Sequence, residues 1–312
     1  MQTRTLCKDG PTLTTVGFGA WAIGGPWKFG WGPVDDGEST DAIRAALDRG
    51  VNWIDTAAVY GFGHSEKIVG EAIKGRRDEV FVATKCGLLK GEDGSSVRTL
   101  RPESIRKEVD ASLERLGVEV IDLYQCHWPD PDTPVEETWG AMADLVKAGK
   151  VRYIGVSNFD VALLERIVPI HPVASLQPPY SMVRRDIEAD LLPFCREHGI
   201  GIVVYSPMQS GLLSGKFDPE RLAPDDWRRG AQWFQPQNLE RNLAIVERLR
   251  PIADRNGKTV GQLAIAWVLR EPAITSAIVG ARRPEQVQEN VVAADWQLVP
   301  EDRAEIEAIL GV

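Results

Sequence analysis

Short apolar runs rich in β-branched residues return eight times along this 312-residue chain. They are Val16–Ala20 (VGFGA), Val51–Asp55 (VNWID), 80–85 (VFVATK), 120–127 (VIDLYQCH), 151–157 (VRYIGVS), 174–177 (ASLQ), 201–206 (GIVVYS) and 276–280 (SAIVG). Longer segments with helical spacing separate them. Ser65 to Ile73 is one. Pro102 to Leu116 is the clearest, with Ile105, Val109, Leu113 and Leu116 on one stripe and Pro102 in a helix-starting position. Val135 to Ala148 ends at Gly149, and Val161–Ile167, Ile187–His198, Leu239–Asn256, Val260–Arg270 and Pro284–Val292 follow, with a last helix from Pro300. Parallel strands need a crossover, usually a helix, so strict alternation predicts a parallel sheet. Eight units in about 300 residues predict an α/β fold, a (β/α)8 TIM barrel, rather than an open sheet. An open doubly wound sheet places GxGxxG after its first strand, and VGFGAWAIGG lacks that spacing.

Ahead of the first unit, Thr3 to Cys7 and Thr12 to Thr15, joined by KDGP, read as a β-hairpin that caps the N-terminal end of the barrel. No linker or low-complexity tract interrupts the chain, which predicts one barrel domain over residues 1–312. Three loops that follow strands are long: Trp21–Asp36, Leu88–Leu100 and Pro207–Asn238. They are expected to overhang the C-terminal rim and shape a binding site.

The formal net charge of −9 argues against nucleic acid or an anionic membrane as the main partner. Cys7, Cys86, Cys126 and Cys195 form no CxxC pair, so no metal site is expected, and reduced thiols fit best. No signal-peptide pattern and no apolar run near ~18 residues is present, so a cytoplasmic protein is expected.

Four ionisable residues fall at or just past the downstream ends of three successive strands: Asp55, Tyr60, Lys85 and His127. A barrel brings such positions to one rim. An ammonium against a phenol favours the phenolate, so Lys85, oriented by Asp55, is expected to lower the pKa of Tyr60. His127 can steer a carbonyl oxygen. Together they can polarise a C=O and protonate the developing alkoxide, while the reductant must come from a cofactor. A lyase using Lys85 as a Schiff-base amine is the competing chemistry, and it leaves Tyr60 unexplained.

The motifs GFGAWAIGG (17–25), DTAAVYGFGHSEKIVGEAI (55–73), ATKCG (83–87), DLYQCHWPDP (122–131), YIGVSNF (153–159), LQPPYS (176–181), VVYSPMQSGLLSGKF (203–217) and IVGARRPEQVQEN (278–290) occur in order across nearly the whole chain. On these the sequence resembles the aldo-keto reductase superfamily. Its pattern is most similar to the bacterial general-stress and potassium-channel β-subunit-like branches. The resemblance implies a (β/α)8 barrel that binds NADP(H) without a Rossmann motif, and a tetrad of Asp55, Tyr60 (proton donor), Lys85 and His127.

It further implies that Ser157, Asn158 and Gln177 bind the nicotinamide carboxamide and that Tyr205 stacks on the ring. The segment from Ser206 through Pro207, Met208, Gly211 and Leu212 to Gly215, with Lys216, should cradle the pyrophosphate. Arg228 and Arg229 either close that loop over the dinucleotide or form a solvated basic pair. Gly280, Gln286, Glu289 and Asn290 match the adenosine end. Gly280 and Gln286 stand where the mammalian branch has lysine and arginine. Arg282, with Arg283, is therefore the candidate for the 2′-phosphate, which favours NADP over NAD.

Trp21 and Trp128, just past strand ends, are expected to wall a pocket for a small carbonyl or alcohol substrate, with Trp27 and Trp31 reaching in from their loop. The expected function is NADP(H)-dependent interconversion of aldehydes or ketones and alcohols. A nucleotide-binding regulatory or redox-sensing subunit with slow turnover is the alternative.

Overall fold

In the computed structural model, which describes residues 1–311, the eight expected strands are present, together with four short ones. In chain order the strands are β1 (Thr3–Thr5), β2 (Thr12–Thr14), β3 (Val16–Gly19), β4 (Trp53–Asp55), β5 (Phe81–Cys86), β6 (Leu88–Lys90), β7 (Ser96–Arg98), β8 (Ile121–Cys126), β9 (Val151–Ser157), β10 (Ser175–Gln177), β11 (Gly201–Val204) and β12 (Ile274–Gly280). The helices are α1 (Asp36–Asp48), α2 (His64–Ala72), α3 (Pro102–Leu116), α4 (Val135–Lys147), α5 (Val161–Ile167), α6 (Leu191–His198), α7 (Pro236–Arg255), α8 (Val260–Leu269), α9 (Pro284–Val291) and α10 (Pro300–Leu310). Strands β3, β4, β5, β8, β9, β10, β11 and β12 pair in parallel in that order, and β12 closes on β3. This is the expected (β/α)8 barrel.

Strand alternation decides which side chains enter the barrel. Trp53, Ala83, Leu123, Val203 and Ile278 meet inside it as one buried cluster. Two residues downstream on the same face, Asp55, Lys85, Gln125 and Tyr205 follow Trp53, Ala83, Leu123 and Val203. A polar layer thus lies directly above an apolar one, toward the C-terminal rim, and the register carries it around: Asp55 pairs Ala83, and Lys85 pairs Gln125.

The β1–β2 hairpin closes the other end. Leu6 and Leu13 join the inner cluster, essentially fully buried, each worth about 2 kcal/mol by its apolar area. The approach is close at Gly201, where a Cβ would stand 1.7 Å from the Leu6 carbonyl oxygen. Only glycine fits there. Trp53 adds a polar tie, its indole N–H 3.1 Å from the Thr14 carbonyl and 3.0 Å from the Ser276 hydroxyl.

Outside the barrel, α3 keeps the limits its sequence announces. Pro102 opens it and Gly117 closes it in the left-handed conformation (φ 64°). Helix α8, apolar except for Gln262 in its first turn, is wholly buried, wedged between β12 and the turn Leu212–Ser214. Among the described residues no helix is long and apolar enough to cross a membrane.

Several segments differ from expectation, among them α1, which was not anticipated, and α7, which begins at Pro236 rather than Leu239. Residues 88–100 form an antiparallel hairpin, β6–β7, rather than an open loop. Its turn is fixed by Gly94 (φ 79°) and by Asp93, whose carboxylate accepts from the Ser95 N–H at 2.9 Å. Helix α6 starts at Leu191, not Ile187, because Asp190 accepts from the Leu191 N–H at 2.6 Å, and Asp186–Glu188 form a separate 3-10 turn.

Candidate active site

The rim above the polar layer opens into a cavity of about 850 Å³. At its floor Lys85 donates to Asp55 Oδ2 at 2.6 Å, to the Thr56 carbonyl at 2.9 Å and to Tyr60 Oη at 3.2 Å. His127 completes the group, its ring centroid 5.8 Å from that of Tyr60 and nearly perpendicular to it. Asp55, Tyr60 and His127 line the cavity, while Lys85, 1% exposed, lies behind them. The structure therefore brings all four expected residues together.

The loop after β4 sets Tyr60 in place. Gly61 adopts φ 62°, and a Cβ there would meet the Gly24 carbonyl oxygen at 1.8 Å. That contact presses the Tyr60 loop against the loop after β3, whose Trp27 ring lies 6.0 Å from the phenol.

Burial, more than charge, sets the protonation states. Burial pushes the Tyr60 phenol well above its ordinary value, and the Asp55 charge adds to this. From the sequence, Lys85 is expected to lower it. With Asp55 nearer to the ammonium than Tyr60 is, the ion pair presents little net charge to the phenol, and desolvation prevails. Burial draws Lys85 below its ordinary value, opposed by Asp55. His127 is held well below the usual histidine value by burial, then by the cations Lys85 and Arg98, so it is neutral near pH 7. The floor thus presents a protonated phenol and a neutral imidazole.

Beside them stands a polar platform. Asn158, in the left-handed region at φ 62°, accepts from Tyr205 Oη at 2.8 Å and donates to the His127 carbonyl at 2.9 Å. Ser157 donates to the Gln177 carbonyl at 2.7 Å, and the Gln177 amide donates to Asp55 Oδ1 at 2.8 Å. Burial pushes the Tyr205 phenol up to about 12. Past Tyr205 the chain turns through Ser206, Gln209 and Ser210, all non-glycine residues at positive φ, then Gly211 and Gly215. Successive left-handed residues make concave backbone that suits phosphate oxygens, and strained backbone of this kind clusters at ligand clamps. A planar amide platform leading to such a cradle fits a nicotinamide dinucleotide.

Residues 15–310 match the Aldo/keto reductase family. The chain belongs to that family. It is similar to the NADH-specific methylglyoxal reductase of Escherichia coli (strain K12), 39% identical over 93% of this chain and 93% of that protein. A glycerol dehydrogenase from Gluconobacter oxydans shares the fold with a TM-score of 0.90 and 40% identity, covering 99% of this chain and 94% of its own. An aldo/keto reductase from Klebsiella pneumoniae in complex with NADP and acetate aligns with a TM-score of 0.78 and 28% identity, covering 99% and 96%. This aldo/keto reductase is therefore an oxidoreductase of small molecules that works with a nicotinamide cofactor.

The remaining expected residues of the reductase divide between cavity wall and surroundings. Ser206, Pro207, Met208, Gly211, Gly280, Arg282 and Gln286 line the cavity. Leu212 is fully buried beneath the cradle. Lys216 reaches Glu289 at 2.9 Å, and Asn290 donates to the Gly280 carbonyl at 3.2 Å. Arg228 pairs with Asp226 at 2.6 Å, donates to the Ser210 carbonyl at 3.3 Å and stacks 4.3 Å over Trp31. It ties loop 219–235 to the loop after β3. Arg229 is held by the carbonyls of Leu222 and Ala223.

Trp21 and Trp128 are both in the wall, with Trp27 and Trp31. Trp227, not anticipated, packs edge-on against Trp21 at 5.6 Å. Gln125 was also missed. Fully buried, it bridges Asp55 Oδ1 (3.4 Å) and the Gln177 amide (3.3 Å), joining the tetrad to the platform. Its signal was available, since it shares the inward face of β8 with Leu123.

Proposed function

We propose that this oxidoreductase interconverts aldehydes or ketones and the corresponding alcohols with NADP(H), Tyr60 being the proton donor. The observation that carries the reading is the Tyr60 hydroxyl, 3.2 Å from the Lys85 ammonium and open to the cavity beside a neutral His127. A carbonyl oxygen seated between Tyr60 and His127 accepts a hydrogen bond from each, which draws electron density onto oxygen. Ser157, Asn158 and Gln177 would hold a nicotinamide against Tyr205, where it would supply the hydride. Tyr60 then passes its proton to the alkoxide oxygen, and the N–H that Lys85 directs at its Oη steadies the phenolate left behind. Trp21, Trp27 and Trp128 exclude water around the reacting centre.

Arg282 supports NADP(H) over NAD(H). It lines the cavity beside Gln286, whose side chain accepts from the Arg282 N–H at 2.8 Å, while Arg283 is occupied by Glu38 at 3.4 Å. A guanidinium suits a 2′-phosphate. Lys216 and Glu289, with Gly280 and Asn290, would then enclose the adenosine end, and Arg228 would hold its loop across the pyrophosphate. Four free thiols support a reducing, cytoplasmic setting. We read residues 1–312 as one reductase domain.

The test is the loss of 340 nm absorbance with an aldehyde panel and either cofactor. NADPH is expected to exceed NADH by at least about tenfold in kcat/KM, or ~1.4 kcal/mol. Equal use, or preference for NADH as in the Escherichia coli relative, overturns the NADP assignment. No turnover with either overturns the reductase reading.

A further inference from the structure

The chain carries a net charge of −9, yet the charged side chains lining its cavity are three arginines, Arg98, Arg184 and Arg282, and one carboxylate, Asp55. Asp55 is already committed to Lys85. Arg184 sits 3.7 Å from Asp186, and its charge is felt at Tyr205, on the cofactor side. Arg282 lies with Gln286 at the far end. Arg98 alone stands on the substrate side.

The β6–β7 hairpin delivers it. Arg98 pairs with Leu88, and Leu88 packs on the cluster of Ala57, Val59 and Tyr60. Its guanidinium lies 5.5 Å over the Trp128 ring and donates to the Pro129 carbonyl at 3.1 Å. One of its five N–H donors is thereby used, and no carboxylate among the described residues pairs with it. It is close enough to His127 for its charge to disfavour the imidazolium. A cation held against an aromatic face at the mouth of a carbonyl-binding floor has no structural duty that explains its charge.

We infer that Arg98 is a specificity residue that selects carbonyl substrates bearing an anionic group, a carboxylate or a phosphate, at the end remote from the reacting carbon. This rests on the reading of the cavity as a carbonyl-reducing site. The planar guanidinium offers such a group two parallel N–H donors, and the Trp128 face holds those donors in place without competing for them. Being exposed, Arg98 can be replaced without disturbing the barrel.

The experiment compares substrates that differ only in the anion: 4-oxobutanoate against butanal, and glyceraldehyde 3-phosphate against glyceraldehyde. The wild-type protein is expected to favour the anionic member of at least one pair. Arg98→Leu should lower that discrimination at least tenfold through KM, with part retained in Arg98→Lys. The pair with the larger dependence identifies carboxylate or phosphate. Discrimination that is unchanged in Arg98→Leu, or lost through kcat alone, overturns the assignment.

Calorimetric binding of succinate and of inorganic phosphate to the NADPH-loaded protein separates the two layers of inference. Arg98-dependent anion binding without turnover of any aldehyde sustains the anion site and sinks the reductase reading. Turnover with anion binding indifferent to Arg98→Leu does the reverse.

Discussion

Replacing Asp55 by Asn separates a structural ion pair from a catalytic one. Asp55 is 3% exposed and accepts from Lys85 at 2.6 Å, Gln177 at 2.8 Å and Gln125 at 3.4 Å. Asparagine keeps an oxygen for the two glutamines but turns an N–H toward the Lys85 ammonium. The lysine must then stay charged and unpaired, at about 3–5 kcal/mol, or lose its proton, which from an ordinary pKa costs about 4.6 kcal/mol at pH 7. The routes agree at ~4 kcal/mol, and at about 2 °C per kcal/mol for a domain of this size the expected fall in Tm is ~8 °C.

Calorimetry at pH 7 reads this, and a second replacement gives the cycle. In Asp55→Asn/Lys85→Met neither charge of the pair remains, so about half of the loss, ~2 kcal/mol, should return. The pH trend has a definite sign. Without the Asp55 charge the folded lysine pKa falls further below the ordinary value than it already lies in the wild type, so between those two folded values the wild type holds a proton that the variant has lost. The deficit should therefore shrink as pH rises toward the folded wild-type value, itself below ~10.4. A single variant within about 2 °C of wild type, or a double variant no more stable than the single, would refute an ion pair of this worth.

The other outcomes follow from single contacts. Gly201→Ala drives a Cβ into the Leu6 carbonyl at 1.7 Å, so the hairpin must shift from the barrel base, costing about 3 kcal/mol in denaturant unfolding with chemistry at the opposite rim intact. Burial holds Tyr60 protonated beyond its ordinary range, so reductive kcat should stay level from pH 7 past ~9, while alcohol oxidation, which needs the phenolate, should climb with pH over that interval. A reductive rate halved between pH 7 and 8 contradicts that direction. Gln125→Leu should cut the apparent cofactor affinity and kcat together, because the bridge between Asp55 and Gln177 is lost; an effect on one alone shows the two are uncoupled.

Periodicity carried the barrel, because each strand is short, apolar and followed by a helix that must bury one stripe. Where a boundary has its own chemistry, as at Pro102 and Gly117, the helix limits were legible to the residue. The tetrad was legible too, since strand ends in a barrel converge whatever the loops do. The β6–β7 hairpin was not: its strands are three residues each, largely exposed, and leave no alternation to read. The start of α6 was hidden because Asp190 as a cap competes with Ile187 on a plausible helical stripe.

The backbone cradle past Tyr205 was expected from resemblance alone. Its left-handed residues Ser206, Gln209 and Ser210 are not glycines, and nothing in their side chains announces positive φ. The partner of Lys216, Glu289, lies far along the chain, and an ion pair between such distant positions leaves no local mark. The pKa of Tyr60 failed for a different reason. Naming a neighbouring cation does not say whether a carboxylate has already claimed it.

The most direct measurement is single-turnover reduction of an aldehyde by Tyr60→Phe loaded with NADPH, with cofactor binding followed by fluorescence. Loss of the positioned acid should slow the reduction by about 10²–10⁴-fold while the dissociation constant for NADPH stays within a few-fold of wild type. A variant that reduces the aldehyde within threefold of the wild-type rate contradicts Tyr60 as the proton donor.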